Sequence, residues 1–463
     1  MNIPQFRCTI IRGKAKKSLD DLLPRYAKII NDICPCSKEN FIELFNKSFR
    51  TSEDDVEKTL NNHRTEIAGK LFGMYYFDNN KMVYTSERTL KFLKDEDQPS
   101  FFKDICSKFQ FPNGMDNGKN IIEKLEKKLS IKQFPFLLEL LFIANNENIY
   151  LTKDEVGYFV LNNLSVLQGK ETPQNIYEYI LESRKNGVQV KVRVDGNNYA
   201  YDLQHINEQI VLLELANLIR VTDKSLVLNS EELEAISYMR SQWNTPLKFD
   251  IYNYSNDVAG RKSLRADWQL YYSKVNKESI DIFITSLDAI KFNIKDKSKD
   301  TEKSINKQSN KELGDEGEEF VFSFEKERVS LYDSRLTNKV LLLGQTRGLG
   351  YDIQSIIADG SDKSEFVQYI EVKATKRVTL PEVKNDGWLD VIGVTRNEWV
   401  AAEQHGKFFS FYRVYFTPNE TVIHVIRDPY RKSQEKTLKC TPVNYRIDFS
   451  IESIDDTLRV LGE

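Results

Sequence analysis

Gly350-Tyr351-Asp352-Ile353, followed by Tyr369-Ile370-Glu371-Val372-Lys373-Ala374-Thr375, has the composition of two strands paired in a hairpin. Successive side chains of a strand point to opposite faces. Glu371, Lys373 and Thr375 therefore share one face, and Ile370, Val372 and Ala374 share the other. The second face is apolar and small, which suits a core. The first sets an acid, a base and a hydroxyl side by side. Asp352 stands between Tyr351 and Ile353 and points away from the core too. Two carboxylates beside one ammonium suit a divalent cation and a water next to a phosphate. An ordinary salt bridge on a solvated strand face has the same pattern, so the surrounding residues must decide.

Upstream lies an acidic helix start, Gly314-Asp315-Glu316-Gly317-Glu318-Glu319-Phe320-Val321. Downstream lie Thr395-Arg396-Asn397-Glu398-Trp399 and Tyr412-Arg413-Val414. The series resembles the PD-(D/E)XK nuclease superfamily and, more narrowly, the family named for the C-terminal domain of the plant protein NO VEIN. That family's Gly-x-x-Gly-Glu helix, Gly-Tyr-Asp-Ile strand, Ile-Glu-Val-Lys strand, Asn-Glu-Trp helix and Tyr-Arg-Val strand occur here in order, from Gly314 to Val414.

The resemblance implies an α/β restriction-endonuclease-like domain with a mixed sheet over residues 312–463 and metal-dependent phosphodiester hydrolysis. It implies that Asp352, Glu371 and the Val372 carbonyl bind Mg²⁺, with Mn²⁺ as a substitute, and that Lys373 orients the attacking water and stabilises developing charge. Glu318 is the implied helix carboxylate, which would bind the metal or a metal-bound water. The family's Gly-Glu order selects it over Glu319, while a helix-start acid favoured by the macrodipole is the competing account. Thr395-Arg396-Asn397-Glu398 fits a capping box, which gives Glu398 a structural rather than a catalytic task. The pattern predicts helices over 316–330 and 397–405 and strands over 340–343, 351–357, 366–375 and 408–416, with 422–426 and 445–451 extending the sheet. Two insertions, Asp359 to Glu365 and a stretch holding Pro381, Asn385, Asp386, Gly387 and Trp388, are expected to shape a groove for DNA.

The 463 residues suggest two to four domains. With 66 Lys and Arg against 69 acids, net charge is -3, so a DNA-binding surface has to be a local basic one. Twenty Gly and 12 Pro argue against long disordered tracts. Five Cys without an even framework point to reduced thiols in a cytoplasm. Cys34-Pro35-Cys36 is not a Cys-x-x-Cys pair, and four scattered His show no ligand spacing. No apolar run approaches membrane length, and Met1-Asn2-Ile3-Pro4 does not open a signal peptide.

The remainder is expected to be mostly α, with winged-helix-like units in 1–120 and 121–290 and a linker over 291–311. Ser52-Glu53-Asp54-Asp55 opens a helix, and Gln110-Phe111-Pro112-Asn113-Gly114 stops another. Phe134, Leu137, Leu138 and Leu141 form an apolar stripe, Thr152-Lys153-Asp154-Glu155 a capping box, and Thr172-Pro173 a helix start. Val188, Val190, Val192 and Val194 alternate into an Asp195-Gly196 turn, which predicts a hairpin. Residues 220–227 read as a wing. In the segment holding Arg261, Lys262, Arg265, Trp268, Tyr271 and Tyr272, a basic solvated face and an aromatic core face are expected before any nucleic-acid platform. Phe109-Gln110-Phe111-Pro112-Asn113, Phe134-Pro135-Phe136-Leu137-Leu138 and the box at Thr152 also resemble the recognition part of type IIS restriction enzymes of the AlwI and FokI kind.

These readings lead to a restriction endonuclease that acts on double-stranded DNA, as a homodimer at least during cleavage. Two alternatives stay open: a modification-dependent or effector-triggered defence nuclease, and a non-catalytic DNA-binding protein with a relict nuclease fold.

Overall fold

The computed structural model describes residues 3–11, 15–50, 56–192, 199–222, 225–292, 313–344, 346, 348–358, 366–384, 387–441 and 446–461. The chain forms two units: Met1–Leu19, Ile29–Phe92 and Gln98–Phe292 in the first, and Asp20–Lys28, Leu93–Asp97 and Asn293–Glu463 in the second.

The first unit is mainly helical, and several of its helices begin where a side chain caps them. Ser37 accepts from the Asn40 N–H, Asn117 from the Asn120 N–H, and Asp257 from the Gly260 N–H. Thr172 caps Pro173–Lys185 with proline in the first turn. Phe134, Leu137, Leu138 and Leu141 are all buried on Gln133–Asn146, so the expected stripe is a core face. The Thr152 box forms, and its Glu155 carboxylate also receives both Nε and Nη2 of Arg184. Two small antiparallel sheets complete the unit: Cys36–Ser37, Met82–Thr85 and Tyr75–Phe77 in one, and Leu151–Thr152, Ser225–Leu228 and Ile219–Thr222 in the other.

On Val258–Ser273, Leu264, Trp268 and Tyr272 are buried while Lys262 and Arg265 are exposed, the expected division into core and solvated faces. The hairpin expected from Val188 onward does not form in its described part, 188–192, which takes no strand. Gly187 ends the preceding helix at φ +66°, and the Val188 N–H turns back to the Ser183 carbonyl at 3.0 Å. Alternation alone supplied no partner strand there. Its Asp195-Gly196 turn, the Ser52-Asp55 helix start, the linker from 293 to 311, the 359–365 insertion, and Asn385 and Asp386 lie outside the described residues.

The second unit is built on a mixed six-stranded sheet. Its order is Asp456–Leu461, Glu420–Arg427, Phe409–Phe416, Val367–Lys376, Ile353–Ile356, Leu341–Leu342. Val367–Lys376 runs parallel to Phe409–Phe416, and the other neighbours are antiparallel. A parallel pair needs a crossover, and the chain between these strands includes the helix Arg396–His405. The helix Leu313–Tyr332 packs on the central strand, where Gly317 lets it close in: a Cβ at 317 would come within 2.6 Å of Ala374. The expected extension by 445–451 is corrected. Arg446–Phe449 joins Asp390–Gly393 and Lys439–Thr441 in a separate antiparallel sheet. Ile447 and Phe449 there enter a core with Trp388, Ile392, Trp399 and Phe411. Apolar alternation marks a strand without naming its partner.

Two segments from earlier in the sequence complete this unit. Arg413 is buried between Asp390 at 2.9 Å and Glu96 at 2.7 Å, and Arg377 meets Asp21 at 2.6 Å. Among the described residues no helix is long and apolar enough to cross a membrane.

Candidate active site

Strand register places the two central acids together. Ile353 pairs with Ile370, so Asp352 falls just before its strand, beside Glu371. The Asp352 N–H donates to the Ile370 carbonyl at 2.9 Å, and Oδ2 of Asp352 accepts the Val372 N–H at 2.8 Å. Asp352 and Glu371 stand opposite each other in this register, close enough that Asp352 raises the pKa of Glu371. Gly350, at φ +74°, permits the approach to this turn, since a Cβ there would stand 2.5 Å from the Asn397 carbonyl.

Lys373 follows Glu371 on the same face. Its Nζ donates to Oε1 of Glu371 at 2.7 Å and lies 3.0 Å from Oε2 of Glu398. Glu398 forms the expected capping box, Oε2 accepting the Thr395 N–H at 2.9 Å. Its second contact, with Lys373, is one that the sequence reading did not include. Spacing identified the cap, but only the crossover brings the first turn of that helix over the central strand.

Glu318 is half-buried on Leu313–Tyr332, whereas Glu319 is exposed. The Glu318 carboxylate lies against Gly344, where any Cβ would collide with it. Thr375 faces the same way as Lys373 in the strand, but its hydroxyl donates to the Glu96 carbonyl at 2.9 Å, away from the acids.

The electrostatics follow from one ammonium among four carboxyls. Burial raises the pKa of Glu371 well above the usual carboxylate range; Lys373 works against this, and Asp352 and Glu398 add to it. Burial also raises Asp352, opposed by the Val372 N–H and Lys373. Glu318 is pushed up to about 7, by burial and then by Asp352 and Asp315. Glu398 goes the other way: burial is outweighed by Lys373 and the Thr395 N–H, which hold it ionised. Burial disfavours charge on Lys373, and Glu371 and Glu398 overcome it and raise its pKa.

Among the described residues, no three Asp, Glu, His or Cys side chains form a ready-made metal cage. Hard oxygen donors used one or two at a time, with water filling the remaining positions, suit Mg²⁺. Burial makes two negative charges at Asp352 and Glu371 costly, a cost a cation would offset, and their oxygens are hard donors of the kind that fits such an ion.

Two known families match the chain: "Restriction endonuclease BpuJI - N terminal" over residues 3–269, and "Protein NO VEIN, C-terminal" over residues 317–426. A solved structure of the BpuJ1 endonuclease binding domain, in complex with pyrene- and phenanthrene-modified DNA, is similar at a TM-score of 0.57 and 52% identity. The likeness covers 58% of this chain and 98% of that one. No curated protein matches.

Proposed function

The chain belongs to the family of the restriction endonuclease BpuJI N-terminal region, which takes in residues 3–269, and we propose that it is a Mg²⁺-dependent DNA endonuclease of a restriction system. Residues 3–269 bind double-stranded DNA in this reading, and residues 312–463 cut it with a PD-(D/E)XK site. Support for the first part comes from a relative solved on DNA. The small sheets with their flanking helices are taken as winged-helix-like units. The observation that carries the second part is the grouping of Asp352, Glu371 and Lys373 on paired strands.

In the proposed reaction a water oxygen bonds to phosphorus while one phosphorus–oxygen ester bond breaks. Mg²⁺, when bound, supplies an activated water and offsets charge on the leaving oxygen. Asp352, Glu371 and the Val372 carbonyl would hold it, Glu318 would orient a coordinated water, and Mn²⁺ could replace it. Lys373 keeps its positive charge at the site and stabilises the charge that develops on the phosphate. With one such grouping among the described residues, cutting both strands takes either two sequential nicks or a homodimer at least during cleavage, and the homodimer is the reading adopted. Five free thiols suit a reducing cytoplasm.

The test is incubation of pooled supercoiled plasmids of mixed sequence with and without Mg²⁺. Conversion to nicked or linear DNA at discrete positions, only with Mg²⁺, is expected. Intact plasmid under all divalent cations would overturn the reading, as would equal cutting in a chelator.

A further inference from the structure

We infer that Glu398 is a positioning residue for cleavage: it keeps the ammonium of Lys373 at the site while Glu371 turns its carboxylate to a cation. The inference rests on the proposed function, in which Lys373 acts in the reaction.

Lys373 has two anchors, Glu371 at 2.7 Å and Glu398 at 3.0 Å. The first belongs to the proposed cation ligands. An oxygen that turns to a cation holds an ammonium less well, and the cation also repels that ammonium. A lysine side chain is long and flexible, and with one anchor weakened it would leave its place. Glu398 supplies the anchor that does not change. Its own carboxylate is fixed twice over, by the Thr395 N–H and by its position in the first turn of a ten-residue helix, where negative charge is favoured. The helix start is braced as well, because the Asn397 carbonyl abuts Gly350 in the turn that leads to Asp352. A capping box is satisfied by glutamine or glutamate alike. The cap itself needs no charge at position 398, and beyond the helix start that favours it the charge meets the ammonium of Lys373.

Four variants separate the possibilities. Glu398→Gln keeps the cap and removes the charge; Glu398→Asp keeps the charge on a shorter arm; Thr395→Ala removes the cap hydroxyl; Lys373→Ala removes the ammonium. Single-turnover cutting of pooled plasmid in Mg²⁺ should slow about 10- to 100-fold in Glu398→Gln, the range for residues that orient a reacting group. Plasmid affinity in Ca²⁺ should not change, and Glu398→Asp should recover part of the rate. Thr395→Ala should melt lower and cut at the wild-type rate. Equal slowing by Thr395→Ala and Glu398→Gln would overturn the inference in favour of a cap alone. A wild-type rate for Glu398→Gln beside a slow Lys373→Ala would overturn the inference and leave the proposed function standing. A wild-type rate for Lys373→Ala would overturn the assigned role of that lysine. One readout needs no cleavage: a double-mutant cycle of Glu398→Gln and Lys373→Met in metal-free thermal melts. Non-additive midpoints support the pair, and additive midpoints overturn it.

Discussion

Oδ2 of Asp352 accepts the backbone N–H of Val372 at 2.8 Å. The bond ties the acid to the strand that carries Glu371 and Lys373, so the spacing of the three groups is set by sheet register. It also means that charge and position at 352 can be changed separately, because an amide oxygen can accept the same N–H.

Asp352→Asn should therefore fold. Its metal-free melting midpoint should equal or exceed the wild type, since one member of a crowded acid cluster has lost its charge. Mg²⁺ should raise the wild-type midpoint by binding the native state and leave the variant unmoved. Cutting should fall by at least about 100-fold. Melts with and without Mg²⁺, paired with plasmid cleavage, check both halves.

Lys373→Ala should bind plasmid as the wild type does and cut about 100- to 1,000-fold more slowly, because charge stabilisation in the transition state is what it loses. Ca²⁺ in place of Mg²⁺ should support binding with little cutting, its looser coordination placing the water poorly. Binding isotherms beside single-turnover rates separate the two effects.

Gly344→Ala tests Glu318 without altering an acid. The new methyl group would occupy the place of the Glu318 carboxylate, which is the free end of a flexible side chain and can swing aside at little cost. The expected result is a near-normal melt with a cutting defect like that of Glu318→Gln. The double variant should be no worse than either single change. Independent, multiplying defects would remove Glu318 from the site.

His424 gives the second unit a pH dependence apart from the acids. It is buried beside Trp388 and Tyr415, and burial lowers its pKa to about 4 from 6.5; Asp390 opposes this, and Arg413 and Arg377 reinforce it. A depressed folded value means that stability is fully present above pH 6.5 and is lost as pH falls from there towards about 4. The shift corresponds to about 3 kcal/mol at most. His424→Phe should raise the melting midpoint relative to the wild type more at pH 4 than at pH 7, and an equal difference at both would show that another group is responsible.

Alternation was enough to put Glu371 and Lys373 on one face, because a period of two is a local property of extended backbone. The capping box at Thr395 was legible for the same reason, since its partners lie within one turn. What lay opposite was not. Glu398 reaches Lys373 only through the crossover between parallel strands. The carboxylate partners of Arg413, Asp390 and Glu96, are remote from it in sequence, so nothing near Tyr412-Arg413-Val414 announced a buried ion cluster. The valines at 188, 190 and 192 show the converse: the pattern takes no strand over 188–192, and none of the described residues pairs with it.

The second unit draws on Asp20–Lys28 and Leu93–Asp97 as well as its C-terminal stretch. It is therefore not a cassette. An exchange between related enzymes that moved only residues after 312 would leave behind Asp21 and Glu96, and with them the partners that hold Arg377 and one side of Arg413. Buried guanidinium groups stripped of their carboxylates are costly to keep in place. A chimera built to graft new cutting chemistry has to carry those two short segments along, and a library of junctions placed only at residue 312 would be expected to return mostly misfolded protein.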